Sequence, residues 1–180
     1  NPSSSNNTSE PRVVGGSITT EARNDTSRRS ITVIGDSLGV GTEPHLKNFT
    51  WQSANYNNYG SRQWTHATKV YNALEQLQDI ISSNQLNDYV VMILGTNRGV
   101  NSSEIQRAVN MIGSSRKLLL VDTDSAVNHK ASVASAYMLA SETYSNVFYV
   151  NWSHYAQASY YGSDNIHMTS AGYKAHAEFI

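Results

Sequence analysis

The sequence contains no cysteine, which excludes disulfide frameworks, thiolate catalysis and Cys-based zinc sites at once. A chain without cysteine suits an oxidising exterior, although many cytosolic chains share the trait. Proline is scarce, at three residues, and so is charge: 13 Lys+Arg stand against 14 Asp+Glu, a formal net charge of −1. The lack of basic excess argues against a nucleic-acid partner, which would require a basic face. Long apolar runs are missing as well. The longest, residues 90–94, is far too short to cross a bilayer. Neither an initiator Met nor a charged-then-apolar leader is present at Asn1-Pro2-Ser3-Ser4-Ser5, so the chain reads as a mature segment or an excised soluble domain.

What is present fits one domain. A chain of 180 residues can bury about two-thirds of the surface that it exposes when unfolded. Asn and Ser alone contribute 18 and 25 residues, so the surface stays soluble through uncharged hydrogen-bonding groups. Residues 1–29 are polar, hold two of the three prolines and show no sustained apolar period; they read as a linker or N-terminal arm. Val13, Val14 and Ile18 are the apolar residues there that can still touch the domain surface. The domain itself is expected over residues 30–180.

From Ile31 onward, short β-branched runs alternate with longer helical stretches. Strands are predicted at residues 31–34, 54–59, 89–94, 118–121 and 147–150, the second polar enough for a sheet edge and the third apolar enough for burial on both faces. Val70, Leu74, Leu77, Ile80 and Ile81 recur at helical spacing, predicting a helix over about 62–83. Ser103-Glu104-Ile105-Gln106 reads as a capping box opening a second helix. An Ala-rich helix is predicted over about 130–145 and a last one from Thr169 or Ser170 to the end. This alternation implies a three-layer α/β/α fold with a doubly wound, five-stranded parallel sheet of order 2-1-3-4-5. Ligands should then sit beyond the carboxyl ends of strands 1 and 3, where the winding reverses.

Four polar clusters fall where this topology converges: Gly35-Asp36-Ser37, Tyr59-Gly60-Ser61-Arg62 and Gly95-Thr96-Asn97 end strands 1, 2 and 3, and Asp164-Asn165-Ile166-His167 follows strand 5, just before the last helix. A serine hydroxyl becomes a good nucleophile when an imidazole takes its proton, and a carboxylate on the other ring nitrogen fixes the tautomer. Asp164 and His167, three apart on a loop, can make that pair. Ser37 at a helix start offers its own N–H to a developing oxyanion. Gly60 lets a second N–H approach substrate closely, and the Asn97 amide can supply a third donor. Asp36 more naturally holds the turn than serves as the triad acid. Of the other histidines, His154 is singled out because Trp152, Tyr155, Tyr160 and Tyr161 surround it; such rings can stack on sugars or can simply cover the sheet end as core. Arg62 and Arg98, inside and beside the blocks, are further candidates for holding substrate. His45, His66, His129 and His176 read as surface or helix residues. Asp122-Thr123-Asp124 lacks the further carboxylates that a Mg²⁺ site needs, so no metal is expected.

These four blocks, in this order, resemble the SGNH hydrolase superfamily over about residues 31–180. The resemblance implies Ser37 as nucleophile, His167 as general base then acid and Asp164 as its orienter. It also implies an oxyanion hole from Ser37, Gly60 and Asn97, and no cofactor. The chain is similar, more closely, to the extracytoplasmic domain of OatA-type peptidoglycan O-acetyltransferases. Gly60-Ser61-Arg62, Tyr161-Gly162 ahead of Asp164, the missing cysteine and the polar start all agree. That resemblance implies acetyl transfer at the cell surface of a Gram-positive organism, through acetyl-Ser37, to the 6-hydroxyl of N-acetylmuramic acid. A carbohydrate or lipid esterase with the same triad is the alternative. The implied partners are an acetyl donor and a cell-wall glycan, with a membrane acyltransferase domain in the same full-length chain; a monomer is expected.

Overall fold

The computed structural model describes residues 13–14 and 25–180; the rest of the expected N-terminal arm lies outside the described residues. Strands β2 (Ser30–Gly35), β3 (Ser53–Asn58), β4 (Tyr89–Ile93), β5 (Lys117–Val121) and β6 (Val147–Val150) are the five expected from sequence. They pair in parallel as β3-β2-β4-β5-β6, the predicted order. A two-residue strand, β1 (Val13–Val14), adds to the outer side of β6. Two residues carry no readable periodicity, so sequence alone could place Val13 and Val14 no better than on the surface.

Period-2 alternation on β2 and β4 explains the two-sided core. Ile34, Val90 and Met92 face one layer, built by helices α2 (Ala73–Ser82), α3 (Ser102–Ile112) and α4 (Lys130–Thr143). Ile31, Val33, Val91 and Ile93 face the other, built by α1 (Ser37–Leu46) and α6 (Ser170–Phe179). A single helical turn, α5 (Trp152–Tyr155), follows β6.

Two helix starts differ from the sequence reading. The helix expected from residue 62 begins at Ala73, because the Asn72 side chain accepts from Glu75 N–H and caps it there. Residues 62–72 instead fold around the buried Arg62, whose Nε donates to the Val70 carbonyl at 2.9 Å. The capping box of α3 belongs to Asn101 and Glu104 rather than Ser103 and Gln106: Asn101 Oδ1 accepts from Glu104 N–H while Glu104 Oε1 accepts from Asn101 N–H.

Helices α1 and α6, which carry or follow the candidate catalytic residues, are tied by a buried pair. Thr42 Oγ1 donates to the Leu38 carbonyl, so His176 Nδ1 must be the donor in its 2.7 Å contact with Thr42. His176 is then neutral, and burial pushes its pKa down to about 3. An unfolded histidine titrates near 6.5, so the unfolded chain binds a proton in the interval where the folded one does not. Stability contributed by the neutral ring is complete above about pH 6.5 and is lost as pH falls toward 3. Thermal melts of His176→Phe between pH 7 and 4.5 should therefore fall less steeply than those of the unsubstituted protein; parallel profiles would refute the assignment.

Candidate active site

At the carboxyl end of β2, Asp36 is the N-cap of α1: its Oδ1 accepts from Leu38 N–H at 2.9 Å. Asp36 is fully buried, and that burial pushes its carboxyl up to about 7 against the Leu38 N–H that favours the charged form. Capping falls to Asp36, so the Ser37 hydroxyl is left for other work. Ser37 is the first residue of α1, where the helix's positive end and unpaired N–H groups concentrate.

The imidazole comes from a loop that closes on itself. Gly162 N–H donates to the His167 carbonyl at 2.8 Å, Asn165 N–H to the Gly162 carbonyl at 3.0 Å, and Tyr161 bridges Met168. Asn165 takes φ 56°, a left-handed conformation that asparagine tolerates better than most residues. Within this loop Asp164 uses both oxygens. Oδ1 accepts from Ile166 N–H and His167 N–H, each at 2.9 Å, and Oδ2 lies 2.7 Å from His167 Nδ1. The hydrogen bond to the His167 ring, with the two backbone N–H groups, pulls the Asp164 pKa down to about 2. As a carboxylate it can only accept, so Nδ1 carries the proton and Nε2 presents a lone pair. Ser37 Oγ stands 3.1 Å from that Nε2. The structure thus brings Ser37, His167 and Asp164, 130 residues apart at the extremes of the first contact, into one hydrogen-bonded chain. The His167 and Asp164 side chains are 51% and 50% exposed.

The two glycine-bearing loops flank this chain in the topology, after β3 and β4. At Gly60 a Cβ would meet no protein atom within 4 Å, and its φ is not positive. Neither packing nor backbone conformation demands glycine there, and the space above it is open. Gly95 is different: φ of +117° requires glycine. It turns the chain out of β4 toward Asn97, whose exposed side chain donates one Nδ2 hydrogen to the Arg62 carbonyl at 3.0 Å. That bond orients the amide and leaves its second N–H available.

Several candidates are corrected by the structure. Arg62 is buried, and Nη1 donates to the Asn57 carbonyl at 2.6 Å and Asn57 Oδ1 at 2.9 Å, so it holds the β3 loop rather than substrate. Arg98 is taken up by Gln63, Thr65 and the buried Glu104, which its Nη2 meets at 2.5 Å. Trp152, Tyr160 and Tyr161 belong to the core beside α6: Trp152 is buried, stacks on Tyr160 and donates from Nε1 to Tyr161 Oη. Tyr155 is exposed but packs on Phe179, and His154 packs on Tyr155. Phe179 ends the ten-residue α6, about 15 Å from its start, so His154 and Tyr155 lie at the end of that helix remote from His167. Asp122 and Asp124 do not converge either: Tyr149 and Ser153 donate to the first, Lys130 to the second.

Sequence reasoning missed a brace across the site. Ser125 Oγ donates to the Ile166 carbonyl at 2.7 Å and Ala126 N–H to the Asn165 carbonyl at 2.9 Å, while His129 Nε2 meets the Thr96 carbonyl at 3.0 Å. One segment after β5 therefore steadies both the loop of Asp164 and the loop of Asn97. Its only sequence signal is its position at a strand end.

No family model matches this sequence, and no curated protein does. Among solved structures, the chain is similar to the C-terminal catalytic domain of peptidoglycan O-acetyltransferase A (OatA) from Streptococcus pneumoniae, with 21% identity and a TM-score of 0.66 over 84% of this chain and 89% of that one. It is also similar to a carbohydrate acetylesterase family member from Sinorhizobium meliloti (16% identity, TM-score 0.61, 83% and 94% covered). Est24, a carbohydrate acetylesterase from the same organism, gives 13% identity and a TM-score of 0.61, with 83% and 95% covered. At these identities the likeness is one of fold: the chain has the fold of these acyl-ester enzymes.

Proposed function

We propose that this chain is a serine-dependent O-acetyltransferase acting outside the cell on peptidoglycan glycan strands, by way of acetyl-Ser37. The observation that carries the reading is the Ser37–His167–Asp164 chain of hydrogen bonds, in which only Nε2 is free to take a proton. In the first half-reaction Ser37 Oγ bonds to the acyl carbon of a donor ester as its proton passes to His167 Nε2. Asp164, already ionised, stabilises the imidazolium. The carbonyl oxygen becomes an oxyanion facing the N–H groups of Ser37 and Gly60 and the second N–H of Asn97; one such donor is worth about 10²–10³ in turnover. Collapse expels the donor alcohol, which takes the proton from His167. In the second half-reaction an acceptor hydroxyl, the 6-hydroxyl of N-acetylmuramic acid in this reading, repeats the attack on acetyl-Ser37 and restores the serine.

The half-exposed His167 and Asp164 side chains favour a second reading, that of a carbohydrate or lipid esterase. Water can reach the acyl-enzyme in the free protein, so hydrolysis accompanies transfer whenever no acceptor covers the site. Among the described residues no helix is long and apolar enough to cross a membrane. Tethering to a membrane acyltransferase domain, supply of acetyl from it and a monomeric state belong to the same proposal. Mass spectrometry of a soluble muroglycan incubated with the protein and an activated acetyl ester tests it: acetylated glycan should appear beside free acetate. Free acetate alone under saturating acceptor would decide for the esterase.

A further inference from the structure

Of the rings that sequence placed near the site, Trp152, Tyr160 and Tyr161 pack in the core and Tyr155 packs on Phe179, yet another aromatic group stands beside Gly60. Tyr59 follows the carboxyl end of β3 and is 48% exposed, so a ligand at the Gly60 loop can reach its ring. Its backbone is pinned to the site: Tyr59 N–H donates at 3.0 Å to the carbonyl of Gly35, two residues before Ser37. Its ring is fixed from two sides. The Tyr71 ring lies 5.9 Å away at 58°, and the Arg62 guanidinium sits 5.9 Å from the Tyr59 centroid. Tyr71 is in turn held edge-on by His66 at 5.2 Å, and His66 Nδ1 accepts from Thr68 N–H at 2.9 Å.

We infer that Tyr59, braced by Tyr71 and Arg62, is the stacking platform for the sugar ring whose hydroxyl reacts at Ser37. A pyranose has an apolar C–H face rimmed by hydroxyls. The Tyr59 ring supplies a flat face, and the adjoining series of rings, Tyr59, Tyr71 and His66, brings two hydroxyls and an imidazole that can bond a hydroxyl. An acyl chain, by contrast, has no use for those polar groups. Consecutive Cα atoms are about 3.8 Å apart, so the platform and the Gly60 N–H assigned to the oxyanion belong to one loop. A ring already immobilised by its neighbours also loses little freedom on binding.

The inference takes from the proposed function only the place where the hydroxyl reacts, and its test does not need turnover. Chitopentaose, a β-1,4-linked N-acetylglucosamine oligomer, is titrated calorimetrically into the Ser37→Ala protein and into the same protein carrying Tyr59→Ala, Tyr59→Leu or Tyr59→Trp. Leucine keeps apolar area but not a flat face, and tryptophan keeps the face. Tyr59→Ala and Tyr59→Leu should weaken binding about tenfold or more, the scale of a truncated contact anchor, while Tyr59→Trp should stay within about threefold. Equal affinity in all four, full affinity in Tyr59→Leu, or no saturable binding to the Ser37→Ala protein at millimolar sugar would each overturn the platform. Leucine would then mark the position as an apolar seat for the acyl group. If Ser37→Ala instead leaves ester turnover intact, the proposed function falls while the sugar-binding result stands by itself. Should Tyr59→Ala fail to fold, the Leu and Trp variants carry the same comparison.

Discussion

Ser37→Ala should abolish turnover of an activated acetyl ester, lowering kcat by about four to six orders of magnitude, the range seen when a triad nucleophile is removed. Asp36, next to Ser37, is buried as a helix cap, and it is the Ser37 hydroxyl that stands 3.1 Å from His167 Nε2. Because Asp36 rather than Ser37 caps α1, the variant should melt at the temperature of the unsubstituted protein, which separates lost chemistry from lost fold. His167→Ala should cost about as much, and the double variant little more than either, since the two act as one unit. Asp164→Asn should cost less, because an amide can still accept from the backbone while it loses the charge that stabilises the imidazolium. With the Asp164 pKa held down to about 2, Asp164 is ionised throughout the working range. The pH profile of activity should therefore show no limb from the carboxylate between pH 5 and 8. Initial rates of ester hydrolysis from pH 5 to 8, together with thermal melts, check all of this. An undiminished rate in Ser37→Ala would end the assignment.

The parts of this protein legible in sequence are those written in local pattern. β4 could be read because Val90, Val91, Met92 and Ile93 are all buried, so an unbroken apolar run is the direct imprint of a central parallel strand. The residues of the hydrogen-bonded chain could be read because the topology gathers strand ends: three blocks sit at one, and the fourth, Asp164 to His167, lies just ahead of α6. What failed depended on which way a side chain turns. Trp152, Tyr160 and Tyr161 lie close along the chain to His167, but whether they face the core or a sugar is decided by contact with α6. Arg62 carries a charge that suggests a ligand, yet carbonyls from Asn57 and Val70 consume it. Arg98 finds Glu104, six residues on, and Thr65, 33 residues back. The bond from Ser125 to Ile166 spans 41 residues, beyond any periodicity. Tyr59 was in view, next to Gly60, but only its exposure and its two braces distinguish it from an ordinary strand-end residue.

The second large effect concerns how α6 holds the histidine loop in place. Gly172 lies in the first turn of that helix, and its N–H donates to the capping Thr169 Oγ1 at 3.2 Å. A Cβ there would stand 2.2 Å from the Tyr160 carbonyl oxygen, 2.9 Å from Tyr160 Cβ and 3.0 Å from Met168 Cβ. The nearest obstacle is backbone, which cannot rotate away as a side-chain tip can. That same carbonyl accepts from Thr169 N–H at 2.8 Å and so closes the loop carrying Asp164 and His167. Gly172→Ala has two opposed terms. Alanine gains about 1 kcal/mol of helix propensity, whereas forcing a methyl into a filled space costs about 1–3 kcal/mol or more. A contact this short puts the net change on the destabilising side, a loss of several degrees in Tm for a domain of this size. The damage to turnover should be larger. If the Tyr160 carbonyl moves to admit the methyl, the Thr169 bond opens and His167 shifts relative to Ser37, and a displacement of about 1 Å at reacting groups costs about 10²-fold. Ester hydrolysis should thus fall about a hundredfold in a protein that still folds, with Ser37, His167 and Asp164 all intact. An unchanged Tm with full activity would mean that the Tyr160 segment yields freely, and that something other than this carbonyl fixes the imidazole.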